Sequence, residues 1–430
     1  MNYEKELNYS SGQNPWRWIP SLYFAEGIPY VIVMTVSVIM YKRLGVSNGD
    51  IALYTSLLYL PWLLKPLWSP FVDIVKSKRW WIVSMQLLIG AGLAGVAFFL
   101  PTPFYFQATL AVFWLLAFSS ATHDIAADGF YMYALDSSQQ SFFVGIRSTF
   151  YRLAMITGQG LLIILAGTLE KSLTIPKAWS ITFYILAGFF LLVFIYHRFV
   201  LPTPKTDLNK EKKSISVIFD EFLLTFKSFF QKEGIVVAIV FMLLFRLGEA
   251  LLVKMASPFL LDGREVGGLG LSTQQVGFVY GTVGVVALTL GGIIGGIVAS
   301  RNGLKYWIWP MTLALTLPNL AYIYLAWIQP IDLLWINMAI AFEQFGYGFG
   351  FTAYMLYLIY FSSGEHKTAH YAICTGFMAL GMMLPGMVAG WLEELIGYSN
   401  FFLVVILCTI PTLAVIPFLK IDKDFGKKRI

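Results

Sequence analysis

Ser119-Ser-Ala-Thr-His-Asp-Ile-Ala-Ala-Asp-Gly-Phe-Tyr-Met-Tyr-Ala-Leu-Asp136 lies inside an apolar stretch that begins near Phe104. Asp124 and Asp128 stand four residues apart in it, with His123 beside them. On a helix that spacing puts both carboxylates on one face, one turn above the other. A charged side chain deep in a bilayer costs about 2.5–3.5 kcal/mol by insertion scales, so such residues face a cavity or a protein interior and serve a function there. The rest of the chain reads as a frame for this acidic turn.

The composition says what kind of frame. The chain has 430 residues, 58% hydrophobic and 13% charged, with a mean hydropathy of +0.70. Soluble domains carry about 25% charged residues, so this is the composition of a polytopic membrane protein. Apolar segments long enough to cross a ~30 Å hydrocarbon core recur at 16–41, 50–75, 80–100, 104–135, 141–168 and 178–200. A second series follows at 235–261, 273–299, 305–328, 331–361, 367–392 and 399–420. The expectation is an all-α membrane protein of twelve transmembrane helices in two six-helix bundles, residues 1–200 and 235–430, joined by a cytoplasmic linker at 201–234. Helices suit a lipid solvent because they satisfy their own backbone groups, and no barrel-like strand alternation appears. Within the linker, Ile215–Phe230 reads either as plain hydrophilic connection or as an amphipathic helix at the membrane surface.

The run that follows the polar stretch Met1–Asn14 is too long for a signal-peptide core and lacks a small-residue cleavage site, so it reads as an uncleaved first span. Cys374 and Cys408 have no metal-site spacing and give no disulfide framework. The net charge of +6 belongs to membrane orientation and not to nucleic acid. With the N-terminus inside, 20 of the 30 Lys and Arg residues fall on the cytoplasmic side, and five (Lys42, Arg43, Lys171, Lys177 and Arg264) on the other. That bias predicts that both termini are cytoplasmic.

The two sets of spans echo each other. Phe130-Tyr-Met-Tyr-Ala-Leu135 resembles Ala353-Tyr-Met-Leu-Tyr-Leu358 at an offset of 223, and Glu26 and Glu249 differ by the same 223. The loop Ser69–Trp80 has a looser partner in Gly295–Tyr306. Together these argue for a duplicated six-helix unit. Intramembrane charges also recur with a period of three spans. Glu26 lies in the first span, His123, Asp124 and Asp128 in the fourth, Arg246, Glu249 and Lys254 in the seventh, and Glu343 in the tenth. Spans 1, 4, 7 and 10 are therefore expected to line a central cavity, with 3, 6, 9 and 12 facing lipid.

Two sets of six helices with the loop Asp73-Ile-Val-Lys-Ser-Lys-Arg79 resemble the major facilitator superfamily. Tyr23-Phe-Ala-Glu-Gly-Ile-Pro-Tyr30, Leu67-Trp-Ser-Pro-Phe-Val-Asp73, Thr122-His-Asp-Ile-Ala-Ala-Asp128 and Tyr151-Arg-Leu-Ala-Met155 resemble its AmpG branch of muropeptide permeases and, more distantly, acetyl-CoA transporters. The chain departs from the branch at His123, where Gln is usual, and at Glu26, where many relatives carry a small or polar residue.

The resemblance implies a secondary transporter in the cytoplasmic (inner) membrane, importing a muropeptide-like solute by alternating access. It is expected to need no cofactor beyond a coupling proton, to work as a monomer in the bilayer on a small molecule, and to have no enzyme activity. Asp124 and Asp128, with His123, are the expected proton-coupling residues. Carboxylates one turn apart repel in low dielectric, and imidazole titrates near neutrality. A structural pairing of the two Asp residues with Arg147 or Arg152 is the other reading, and His123 serves equally as an interhelical hydrogen-bond partner. Glu26, Tyr30, Arg152, Arg246, Glu249, Glu343 and Tyr347 are expected substrate-binding residues, the arginines for anionic groups and the tyrosines for stacking or hydrogen bonds. Arg246 and Glu249, three apart, are also placed to pair with each other. Asp73, Lys76 and Arg79 are the expected cytoplasmic gate. A siderophore or other small-solute importer and a non-transporting sensor are alternatives on the same scaffold. An acyltransferase is a weaker one, resting on the H-x4-D spacing of His123 and Asp128 alone.

Orientation is testable directly. In a background lacking Cys374 and Cys408, Arg264→Cys should react with an impermeant thiol reagent added to intact cells, and Lys305→Cys only after permeabilisation. The reverse pattern would invert the topology.

Overall fold

The computed structural model of the protein describes residues 14–135, 137–203, 215–364 and 367–427. Among them the chain is helical, with no strand. Nine stretches are long and apolar enough to cross a membrane: Pro15–Arg43, Lys78–Phe99, Tyr105–Ala134, Gly145–Leu169, Ile175–Val200, Ile235–Leu261, Thr273–Asn302, Leu304–Ile328 and Ala369–Phe418. The last runs for 50 residues and is broken at Gly397, whose φ of 73° is left-handed and interrupts the helical path. Two further regions expected to span are helical without joining the nine. Asn48–Leu57 and Leu60–Ile74 are separated at Leu58 and Tyr59, which leaves pieces of 10 and 15 residues. Leu333–Ser362 is 30 residues long but carries Asn337, Glu343, Gln344 and several tyrosines, which dilute its apolar character.

Helix starts follow the short polar side chains. Ser47 accepts a hydrogen bond from the Asp50 amide and Ser77 from that of Trp80, while Ser272 and Gln275 form a reciprocal capping box. Three spans contain a π-helical turn, at Ile32–Val36, Thr157–Leu162 and Val279–Gly284. Such turns insert a residue into the ladder and concentrate at functional sites.

The chain packs as two compact units. One comprises Met1–Tyr30, Leu67–Ala154 and Ser180–Ile218; the other comprises Val31–Pro66, Met155–Trp179 and Phe219–Ile430. The units cut across the sequence halves, because 31–66 and 155–179 pack with the C-terminal helices. The first unit has a core of Trp18, Leu22, Ile82, Ile125, Phe130 and Phe143, in which Trp18 meets Phe130 edge-on at 5.2 Å. The second is centred on Phe241, Phe245, Met311, Tyr354 and Leu358, with Phe245 stacked on Tyr354 at 4.8 Å and 9°. Each such ring pair contributes about 0.5–1.5 kcal/mol beyond its area burial. The linker stretch Ile215–Phe230 is a helix whose Phe229 is fully buried in this second core.

Within the second unit the two π turns at Thr157–Leu162 and Val279–Gly284 meet backbone to backbone. A Cβ at Gly281 would lie 1.7 Å from the Gln159 carbonyl oxygen, so only glycine allows the approach. Gly281→Leu should destabilise the detergent-solubilised protein by about 1–3 kcal/mol or more, from overpacking, read as a lowered thermal midpoint. Gly296→Leu, where nothing lies within 4 Å of the added carbon, should leave the midpoint unchanged. Equal midpoints for the two variants would refute the close crossing.

Candidate functional site

The acidic turn is held on the Tyr105–Ala134 helix of the first unit. Asp128 forms an ion pair with Arg147 at 2.6 Å and accepts a longer hydrogen bond from the Tyr23 hydroxyl at 3.5 Å. The Arg147 guanidinium lies 4.4 Å over the Tyr23 ring and 5.1 Å over that of Tyr131, so two aromatic faces and one carboxylate share its charge. The pair is only half-buried, with side-chain exposures of 28% for Arg147 and 41% for Asp128. Glu26, by contrast, is buried with Asp124 and Asp128 in its electrostatic surroundings, and its Oε2 has no hydrogen-bond partner. Gly27 brings the first span to this place, since its Cα sits where a Cβ would strike the Ala154 methyl at 2.8 Å. Glu26, Asp124, Asp128 and Arg147 thus form one group, with Tyr151 and Tyr30 in its electrostatic surroundings.

His123 faces elsewhere. Its Nε2 is 3.0 Å from the Gln86 amide nitrogen, Gln86 Oε1 is 3.0 Å from His197 Nδ1, and His197 Nε2 is 2.9 Å from the Ser21 hydroxyl. These four residues tie Lys78–Phe99, Tyr105–Ala134, Ile175–Val200 and the first span together in the interior. Gln86, His197 and Ser21 carry no signal in the sequence, because three neutral polar residues in separate spans have no common spacing. Arg152 is half-buried on the Ser137–Ile156 helix. Arg79 donates through Nε to the Leu201 carbonyl at 3.0 Å and through Nη2 to that of Arg198, capping the end of Ile175–Val200. Lys76 is exposed, and the side chain of Asp73 lies outside the described residues.

In the second unit Arg246 N-caps the Leu247–Leu261 helix. Its Nη2 donates to the Tyr347 hydroxyl, and its guanidinium lies 4.9 Å over Phe351 and 5.4 Å over Tyr347. The expected Arg246–Glu249 pairing is not made through a hydrogen bond: neither carboxylate oxygen of Glu249 has a partner. Glu343 is fully buried and accepts from the Gln344 amide at 2.9 and 3.3 Å. Lys254 donates to Thr55 Oγ1 at 2.9 Å and lies 5.4 Å over the Tyr59 ring.

One end of the second unit carries a polar clasp that sequence reasoning did not find. Lys42 Nζ reaches Asp262 at 2.6 Å and donates to Asn48 Oδ1 at 2.8 Å. Asn48 donates to Glu393 at 2.6 Å and to the Tyr398 oxygen at 3.0 Å, and Tyr398 donates to Asp262 at 2.6 Å. Beside it, Glu170 takes Arg43 at 3.0 Å, the Trp179 indole N–H at 2.9 Å and the Thr273 hydroxyl at 2.7 Å. Most partners are more than 100 residues apart, so no local pattern announces them.

Residues 21–369 match the family model of the Major Facilitator Superfamily. A Rickettsia conorii protein carrying the name AmpG 4 is 29% identical over 92% of this chain and 94% of its own length. The anhydromuropeptide permease of Escherichia coli is 27% identical over 91% of this chain and 76% of its own length. Among solved structures, a D-xylose-proton symporter superposes with a TM-score of 0.71 over 96% of this chain and 99% of that one, at 13% identity. At that identity the likeness shows the fold alone.

The packing of the Asn48–Leu57 helix predicts a cross-link. A Cβ at Gly386 would lie 2.7 Å from Ser56 Oγ, within reach of the Cβ–Cβ spacing of about 3.5–4.5 Å that a disulfide requires. With the two native cysteines removed, Ser56→Cys/Gly386→Cys should form a disulfide under mild oxidation, read by gel mobility and reversed by reductant. Two thiols that stay free would refute the packing at this end.

Proposed function

The chain belongs to the Major Facilitator Superfamily, and from that premise we propose that it imports a muropeptide-like solute, coupled to protons, across the cytoplasmic membrane. It is a multi-pass transporter; the finer statement rests on one observation. Glu26, Asp124, Asp128 and Arg147 meet in a single group within the first unit. Three acids facing one arginine leave a surplus of negative charge, which an entering proton offsets. The relatives named AmpG and anhydromuropeptide permease supply the solute class.

In the proposed cycle both termini are cytoplasmic, six helices stand on each side of the 201–234 linker, and the Lys42–Asp262 clasp lies at the outer end. The clasp then joins Lys42 and Asp262 on the outer side. Asp124 and Glu26 share the proton taken from outside, while Asp128 exchanges between Arg147 and solvent as the site opens. His123 holds the acidic helix against Gln86. Each proton moved inward gains ~2.3 kcal/mol per 100 mV of membrane potential, negative inside. Arg152 and Arg246 receive anionic groups of the solute, with Tyr30 and Tyr347 contributing hydroxyls and ring faces. Asp73, Lys76 and Arg79 close the cytoplasmic side.

Uptake of an anhydromuropeptide into proteoliposomes under an imposed pH gradient tests this reading. Wild type should accumulate the solute only when the outside is more acidic. Asp124→Asn should lose accumulation yet keep solute exchange at equal pH. A variant that still transports at the wild-type rate with full dependence on the gradient would overturn the proposal.

A further inference from the structure

The second unit contains an acidic site of its own. Glu249 on Leu247–Leu261 is 1% exposed, and no protein group donates to either of its carboxylate oxygens. Glu343 on Leu333–Ser362 is fully buried, and its two oxygens share a single donor, the Gln344 amide. The two carboxyls lie in each other's electrostatic field. Tyr322 from Leu320–Ile328 is also fully buried, its hydroxyl has no partner, and it senses both Glu343 and Glu249. Tyr280, in the π turn Val279–Gly284, completes the surroundings from a fourth helix.

Acceptors outnumber donors here. A buried carboxylate with no hydrogen bond is among the costliest arrangements a protein holds. The cations nearby donate to neither carboxyl. Arg246 is directed at Tyr347 and Phe351, and Lys254, farther along the same helix, is spent on Thr55 and the Tyr59 ring. A bound proton does remedy it, because it cancels one charge and needs no added volume.

We propose that Glu249 and Glu343, with the Tyr322 hydroxyl, form a second proton-binding site in the C-terminal helices, separate from the Glu26–Asp124–Asp128 group. The proton binds a carboxylate oxygen of the pair while the clasp seals the adjoining end, and leaves as that carboxyl meets water in another conformation. Arg246, three residues away, then stands as counter-charge to the ionised form. The assignment rests on the reading of the chain as a proton-driven transporter, and moves Glu249 and Glu343 from solute contact to coupling.

Infrared difference spectroscopy of the full chain in liposomes, titrated with pH alone, tests the site without any solute. The carbonyl-stretch band of protonated carboxylic acid should titrate in wild type. Glu249→Gln should remove part of that band and leave the part belonging to the first unit. Glu343→Gln should do the same, which guards against one variant failing to fold. In proteoliposomes the proton-to-solute ratio should fall by one in either variant. Bands of wild-type amplitude in both variants, with Asp124→Asn alone losing signal, would overturn the inference and leave the proposed function standing. Wild-type transport indifferent to the pH gradient would instead overturn that function, while loss of band in Glu249→Gln would still establish the site.

Discussion

Hydrocarbon supplies no hydrogen bonds, and that constraint organises the polar residues of this protein. Each buried ionisable group must find a partner in another helix, give up its charge, or face a cavity. Arg147 takes the first course with Asp128 and two tyrosine faces. Glu26, buried beside Asp124, comes under the same pressure. Glu249, whose two oxygens have no donor, is left with the same necessity on the other side of the sequence. The same pressure gathers Gln86, His123, His197 and Ser21 into one interior chain of hydrogen bonds.

The polar groups differ in how completely they are partnered. Those at the clasp each have a hydrogen-bond partner: Lys42 with Asp262, Arg43 with Glu170, Asn48 with Glu393 and Tyr398. In the helix interiors Arg147 has Asp128, while the Glu249 oxygens have no donor. A matched network holds one arrangement in place.

Much of this was legible in the sequence. The composition and spacing of apolar runs led to helices in a membrane, and the Asp124–Asp128 turn marked the acidic group before any contact was known. Glu26 and Glu249 were legible too, as charges out of place in apolar spans. What pairs with what was not. Arg147 stood as one of two candidates, and His123 was balanced between a relay and a hydrogen bond, because the face a side chain presents depends on neighbouring helices. The clasp was invisible for a related reason. Lys42 and Arg43 look like ordinary loop cations, and Asp262, Glu170 and Glu393 each have a partner more than 100 residues away. The expected boundary at 201–234 is a boundary in the chain, while packing follows which helix ends touch.

The two compact units have one further consequence. The chain passes between them after Tyr30, Pro66, Ala154, Trp179 and Ile218. The first junction lies between Pro29 and the π turn at Ile32–Val36, the second follows Pro61 and ends on Pro66, and the third directly precedes the π turn at Thr157–Leu162. At these three the regular ladder of backbone hydrogen bonds is interrupted, by a missing N–H or by an extra residue in the turn. Three of the five crossings thus fall where proline or a shifted helical register breaks the repeat.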